Sequence, residues 1–166
     1  MAIKLPAFAV LAKNYPMGVI ENVKQEIGGA VDENWITNTC TIRVSKSLNY
    51  AGNPKFEIPQ TQTMYTVKGA DKKNYAIRVA EFNHFLRDRY GPPQVIRSGD
   101  DISIQPFLKK TGIINWHVSG WSDATGHFTL WNNDKGLYEG HERYFDFPIK
   151  KPEAGAWLTK VELWQC

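Results

Sequence analysis

Apolar positions in the first half of the chain recur at helical spacing. Val19, Ile20, Val23 and Ile27 line one side of a helix, and Gly28-Gly29 directly after them is a natural stop. Cys40, Val44, Leu48 and Ala51 form a second row at intervals of three and four, preceded by the capping residues Asn38-Thr39 and closed by Gly52 and Pro54. A helix is therefore predicted to start near Cys40, with the cysteine in its first turn pointing inward. Residues 53–74 hold Pro54, Pro59 and Gly69 among polar positions, which predicts loops and short strands. A third row, Val79, Phe82, Leu86 and Tyr90, predicts a helix that ends at Gly91-Pro92-Pro93.

The period then changes. Segments 113–118, 126–131, 144–149 and 157–164 are short, rich in β-branched and aromatic residues, and separated by Gly, Asp, Asn or Pro turns, so each is predicted to be a strand. Helices followed by antiparallel strands give an α+β fold.

A chain of 166 residues with 42% hydrophobic, 13% aromatic and 22% charged residues can bury a core without disulfides or a structural metal, and one domain over 1–166 is expected. No run approaches the ~20 apolar residues needed to span a bilayer, which predicts a soluble protein with no membrane partner. The opening segment 1–12 has a lysine and a short apolar stretch, but Pro6 interrupts it and no cleavage site follows. A net charge of +3, scattered without an arginine-rich stripe, disfavours nucleic acid. With Cys40 and Cys166 as the only cysteines, the chain is no disulfide scaffold, and the internal one is weighed as a nucleophile.

The first turn of a helix offers unpaired backbone amides and the positive end of the helix dipole, which favour a thiolate at Cys40. The bland alternative, a small buried hydrophobe, stays open on local sequence alone. A partner is found in Gly120-Trp121-Ser122-Asp123-Ala124-Thr125-Gly126-His127, where a turn-like run leads into a strand that begins at His127. Alternation puts His127, Thr129 and Trp131 on one face and Phe128 and Leu130 on the other, so the imidazole can face a cleft while its neighbours anchor the core. Cysteine as nucleophile, imidazole as proton carrier and a third polar group that orients the ring make a thiol hydrolase. Among the other histidines, His84 is expected on a surface or in a structural role, and His117, beside Trp116 on its strand, in a structural role ahead of the alternative of a second polar group at the site. His141, in a loop, could orient His127 or contact substrate. No HExxH or Cys-x-x-Cys spacing suggests a metal. Trp116, Trp131 and Trp164 are expected in the core rather than on a carbohydrate-binding face.

At these blocks the chain resembles the type VI secretion amidase effectors of family 4. The likeness runs through Ile27-Gly28-Gly29, Asn38-Thr39-Cys40-Thr41-Ile42-Arg43-Val44-Ser45, Leu48-Asn49-Tyr50-Ala51-Gly52, segment 67–73, Gly112-Ile113-Ile114 and segment 120–132. It implies a papain-like NlpC/P60 fold, with the nucleophile at a helix start packed on an antiparallel sheet that carries the histidine. It also implies cleavage of the amide between D-glutamate and meso-diaminopimelate in Gram-negative peptidoglycan, without a cofactor. The expected partners are peptidoglycan, the type VI secretion apparatus and a cognate immunity protein. The protein would be made in the cytoplasm, leave by a signal-independent route and act in the periplasm of target cells.

By the same resemblance Cys40 is the nucleophile and His127 the base, and backbone amides at the helix start, that of Cys40 among them, would hold the oxyanion. The family's aspartate position, eleven residues after the histidine, falls here on Tyr138. One extra residue in Asn133-Asp134-Lys135-Gly136 brings Glu139 into register as the orienting group, with His141, Asp134 and Asp123 as alternatives. Asn38, Trp121, Ser122 and His141 are the substrate-binding candidates. A housekeeping NlpC/P60 endopeptidase and a non-catalytic wall-binding module are the competing readings.

Overall fold

A computed structural model describes residues 1–138 and 144–166. Among the described residues four α-helices, α1 (Phe8–Lys13), α2 (Ile20–Ile27), α3 (Cys40–Asn49) and α4 (Val79–Tyr90), precede a five-stranded antiparallel sheet. Its strands are β3 (Val95–Ser98), β4 (Lys110–Ser119), β5 (Gly126–Asn133), β6 (Lys135–Gly136) and β7 (Trp157–Gln165), in the order β3-β7-β4-β5-β6. A separate hairpin, β1 (Thr66–Lys68) and β2 (Asn74–Ala76), occupies the middle excursion. No helix among the described residues is long and apolar enough to cross a membrane.

Both faces of the sheet are covered. One carries Ile113, Phe128, Leu130 and Trp164, which pack with Cys40, Val44 and Leu48 of α3 and Phe82 and Leu86 of α4. The other carries Ile114, Trp116, Trp131, Val161 and Leu163, which pack with Phe107 and the aromatic loop at Tyr144, Phe145 and Phe147. A third cluster joins Val23 and Ile27 of α2 to Ile42 of α3 and to Val67 and Tyr75 of the hairpin. Helix α3 is thus enclosed between the sheet and the α2–hairpin layer, and every residue in it except Lys46 is buried.

Its polar side chains are accommodated by a regular pattern. Thr41, Ser45 and Asn49 fall four residues apart along one helix face. Thr41 donates to the Ala76 carbonyl (2.7 Å), Ser45 Oγ accepts from the Ala76 amide (3.1 Å), and Asn49 donates to the Asn74 carbonyl (2.8 Å). Asn49 Oδ1 also accepts from the Ile58 amide at 2.8 Å. The row does for β2 what a neighbouring strand would do. The stop after α2 is equally specific. Gly29 has φ 61°, and a Cβ on it would lie 2.6 Å from the Ala70 amide nitrogen, so the hairpin can approach α2 only if this residue is glycine.

Three departures from the sequence reading stand out. Segment 144–149 is not a strand: Tyr144–Asp146 is a short 3-10 turn, with the Phe147 amide bonded to the Tyr144 carbonyl at 3.1 Å. Its rings pack together and against the sheet, Tyr144 to Phe147 at 5.0 Å and Phe145 to Trp131 of β5 at 5.7 Å, which an alternating strand could not arrange. Helix α1 was hidden in the signal-like opening, where Leu11 plugs the core. Strands β3 and β6 are four and two residues long and take their form from pairing with β7 and β5.

On the sheet face that meets α4, Glu162 is completely buried. Its carboxylate accepts from Asn83 Nδ2 at 2.9 Å and pairs with Arg87 and His117. His117 is therefore structural, on the face opposite His127, and His84 is exposed on α4. Burial raises the Glu162 pKa, but the bonds from His117 and Asn83 and the charges of His117 and Arg87 outweigh it, and the pKa falls to about 2. Since the folded value lies below the ordinary 4.5, the stabilisation is complete above that pH and is lost as pH falls from 4.5 towards 2. Glu162→Gln is expected to destabilise the fold by roughly 2 kcal/mol at neutral pH, with the deficit shrinking in acid. Urea unfolding of both proteins at pH 7 and pH 3 measures this, and equal stabilities at pH 7 would contradict it.

Candidate active site

The residues before α3 fix its first turn. Asn38 Oδ1 accepts the Cys40 amide at 2.9 Å, and the Arg43 amide bonds the Thr39 carbonyl at 2.9 Å to open the helix. Cys40 is the first helical residue and is 2% exposed. One turn on, Arg43 is fully buried. Its guanidinium donates to the Gly18 carbonyl at 2.7 Å and to Thr39 Oγ1 at 3.0 Å, and it lies 4.1 Å from the centre of the Tyr138 ring.

His127 comes from the start of β5, in register with Trp116 of β4. The imidazole is 4% exposed and enclosed by aromatic rings. Trp116 is stacked at 6.0 Å, Tyr138 meets it edge-on at 4.6 Å, and Tyr144 is tilted at 4.7 Å. Tyr138 joins the two halves of the site, because its hydroxyl lies 3.3 Å from Thr39 Oγ1 at the helix start. Thr129, two residues along the same strand face as His127, holds Tyr138 in place: its Oγ1 accepts the Leu137 and Tyr138 amides at 3.1 and 3.0 Å. The Tyr15 hydroxyl lies 3.1 Å from the same Oγ1. Burial pushes the Tyr15 pKa well up, only partly offset by the bond to Thr129 and the charge of Arg43, so this phenol stays protonated.

The segment that leads into α3 and the start of β5 border one cleft of about 320 Å³, whose lining includes Thr37, Asn38, Trp121, Asp123, His127 and Tyr144, while Cys40 lies buried two residues beyond Asn38 and is not part of that lining. Two of the substrate-binding candidates, Asn38 and Trp121, therefore share a cleft with His127. Ser122 is exposed on the turn and is not part of this lining. Glu139 and His141 lie outside the described residues. Asp134 sits in the β5–β6 turn, seven residues from His127, and at about 3.3 Å per residue the strand carries it roughly 23 Å away, too far to orient the imidazole. The Cys40 amide, expected to serve an oxyanion, is instead engaged by Asn38. Sequence reasoning passed over Tyr15, Arg43, Thr129 and Tyr144; for Tyr138 the signal was present in its spacing from the histidine. No cluster of three or more His, Cys, Asp or Glu that could hold a metal occurs among the described residues.

Comparison with curated proteins by sequence gives no match. The model of the family described as type VI secretion system (T6SS) amidase effector protein 4, Tae4, matches residues 36–164. Among solved structures, the type VI effector Tae4 from Enterobacter cloacae superposes with a TM-score of 0.82 at 30% identity, over 99% of each chain. The Tae4–Tai4 effector–immunity complex from the same organism gives 0.80 at 31% identity, over 97% of this chain and 98% of that one. The corresponding complex from Salmonella Typhimurium gives 0.78 at 29% identity, over 98% and 99%. The helix that begins at Cys40 and the antiparallel sheet behind it are the papain-like α+β arrangement of these proteins, and the chain belongs to the type VI secretion amidase effector family 4.

Proposed function

We propose that this amidase effector kills bacteria by hydrolysing the γ-D-glutamyl–meso-diaminopimelate amide of peptidoglycan stems through a cysteine–histidine thiol mechanism. The observation that carries the reading is the convergence of two elements on Tyr138, beside the cleft that His127 lines. A buried helix begins on Cys40, and the strand that carries His127 is tied to that helix start through Tyr138 and Thr39. Membership of the effector family favours this over a housekeeping endopeptidase or a silent wall-binding module.

In this mechanism Cys40 Sγ attacks the γ-carbonyl carbon of D-glutamate as its proton passes to His127. Asn38, anchored through Oδ1 on the Cys40 amide, has its two Nδ2 hydrogens left to stabilise the oxyanion. The C–N bond breaks as His127 returns the proton to the amine of diaminopimelate. Water, deprotonated by the same imidazole, then hydrolyses the thioester and regenerates the thiol. Trp116, Tyr138 and Tyr144 limit the imidazole's movement and keep bulk water from it. Glu139, the residue after Tyr138 in the chain, is the carboxylate assigned to accept from the distal imidazole nitrogen and hold its tautomer. No cofactor takes part.

The solved relatives in complex with Tai4 support a cognate immunity protein for this chain. Delivery by the type VI apparatus would place the enzyme in the target periplasm.

Cys40→Ala is expected to fold normally and to release no new amine ends from purified Gram-negative sacculi, while the wild type digests them. Targeted to the periplasm of a Gram-negative host, the wild type should lyse cells and Cys40→Ala should not. Mass spectrometry of the digests, with culture density, reads both, and sacculus cleavage by a folded Cys40→Ala protein would sink the mechanism.

Glu139→Gln should lower turnover roughly a hundredfold or more, as tautomer-disrupting changes do in catalytic triads. Assayed beside His141→Ala and Asp123→Asn on one stem peptide, it should be the weakest of the three. Full activity in Glu139→Gln with a collapse of kcat, rather than a rise in KM, in one of the others would move the orienting role to that residue.

A further inference from the structure

A second cavity of about 380 Å³ adjoins the cleft and shares Thr37, Asn38, Asp123 and Ala124 with it. Its walls are largely aliphatic, from Ile36, Ile77 and Val79, and the charged residues on its lining are Arg78 and Asp123. Arg78 is exposed, but its guanidinium is oriented by its neighbours. Its guanidinium lies 5.1 Å from the centre of the Tyr65 ring, and Nη1 donates to Glu81 at 2.9 Å. Glu81 is itself fixed by the Tyr65 amide, bonded to its other oxygen at 2.7 Å. A planar donor fork oriented in this way loses little freedom when it takes a carboxylate. Asp123, exposed on the turn that leads to His127, supplies the opposite charge.

A cavity with a cation, an anion and an aliphatic wall suits a ligand with a methylene chain and a zwitterionic end. If the proposed reaction is right, the substrate contains one such group. The side chain of meso-diaminopimelate ends in a free amine and a free carboxylate, lysine at the same stem position has only the amine, and D-glutamate offers only a carboxylate. Resting on that reading, we infer that the cavity beside the cleft is the diaminopimelate side-chain subsite, with Arg78 holding the carboxylate and Asp123 the ammonium. Arg78 is then a specificity-determining residue outside the bond-breaking machinery.

The test uses four synthetic stem tripeptides: the free meso-diaminopimelate form, the form amidated at the side-chain carboxylate, the lysine form, and the form amidated at the D-glutamate α-carboxylate. Wild-type kcat/KM should fall about tenfold or more for the second and third and change little for the fourth, with most of the loss in KM. Arg78→Gln should impose a similar loss on the free form and almost none on the amidated and lysine forms, and Arg78→Lys should recover part of it. Equal cleavage of free, amidated and lysine stems by the wild type overturns the subsite, and this arm decides even if Arg78→Gln fails to fold. A loss confined to the fourth stem overturns it in favour of an α-carboxylate site. Failure to cleave any stem would instead overturn the proposed reaction itself.

Discussion

Helix α3 is enclosed everywhere except at Lys46, and a helix that carries Thr41, Arg43, Ser45 and Asn49 into a core must provide partners for their polar atoms. An unmet buried donor or acceptor costs roughly 1–3 kcal/mol. Thr41, Ser45 and Asn49 meet the requirement on β2 and the Ile58 amide, and Arg43 on Thr39 and the Pro16 and Gly18 carbonyls. Ser47 Oγ is an exception, with no partner. These bonds are directional, so they set the rotation and axial position of the helix more narrowly than apolar packing would. The position of Cys40 follows from that setting.

The other half of the site is located by the same economy. Thr129 Oγ1 gathers the amides of Leu137 and Tyr138 and the hydroxyl of Tyr15, which draws the segment after β6 back across the strand that carries His127. Tyr138 then reaches the imidazole with its ring and Thr39 with its hydroxyl, while Arg43 lies against its face. The helix start and the strand start are held to one another by side chains rather than by chain connectivity. Substitutions at Thr129 or Arg43 would therefore disturb the cleft without touching substrate.

The apolar rows that define α2, α3 and α4 were legible in the sequence, as were the long strands β4, β5 and β7, because each buries a periodic face. The turn before His127 and the start of a helix at Cys40 were legible for the same reason. What escaped were features set by tertiary partners. The four-residue β3 takes its form from pairing along β7, and segment 144–149 has strand composition but spends its rings on contacts in several directions. The Thr41, Ser45 and Asn49 row looks in sequence like a solvated face, and only the hairpin packed upon it makes it a core feature. Glu162, an acidic residue in a strand of otherwise apolar neighbours, was likewise uninterpretable until Asn83, Arg87 and His117 surrounded it.

The central claim is that Cys40 forms a covalent bond with the acyl half of the stem peptide. Acid-quenched single-turnover digestion of the free diaminopimelate tripeptide, followed by intact-mass and peptide-level mass spectrometry, tests it most directly. The account predicts an L-alanyl-γ-D-glutamyl adduct on the peptide that contains Cys40, absent from Cys40→Ala. An adduct mapped to Cys166 or to any other residue would contradict it.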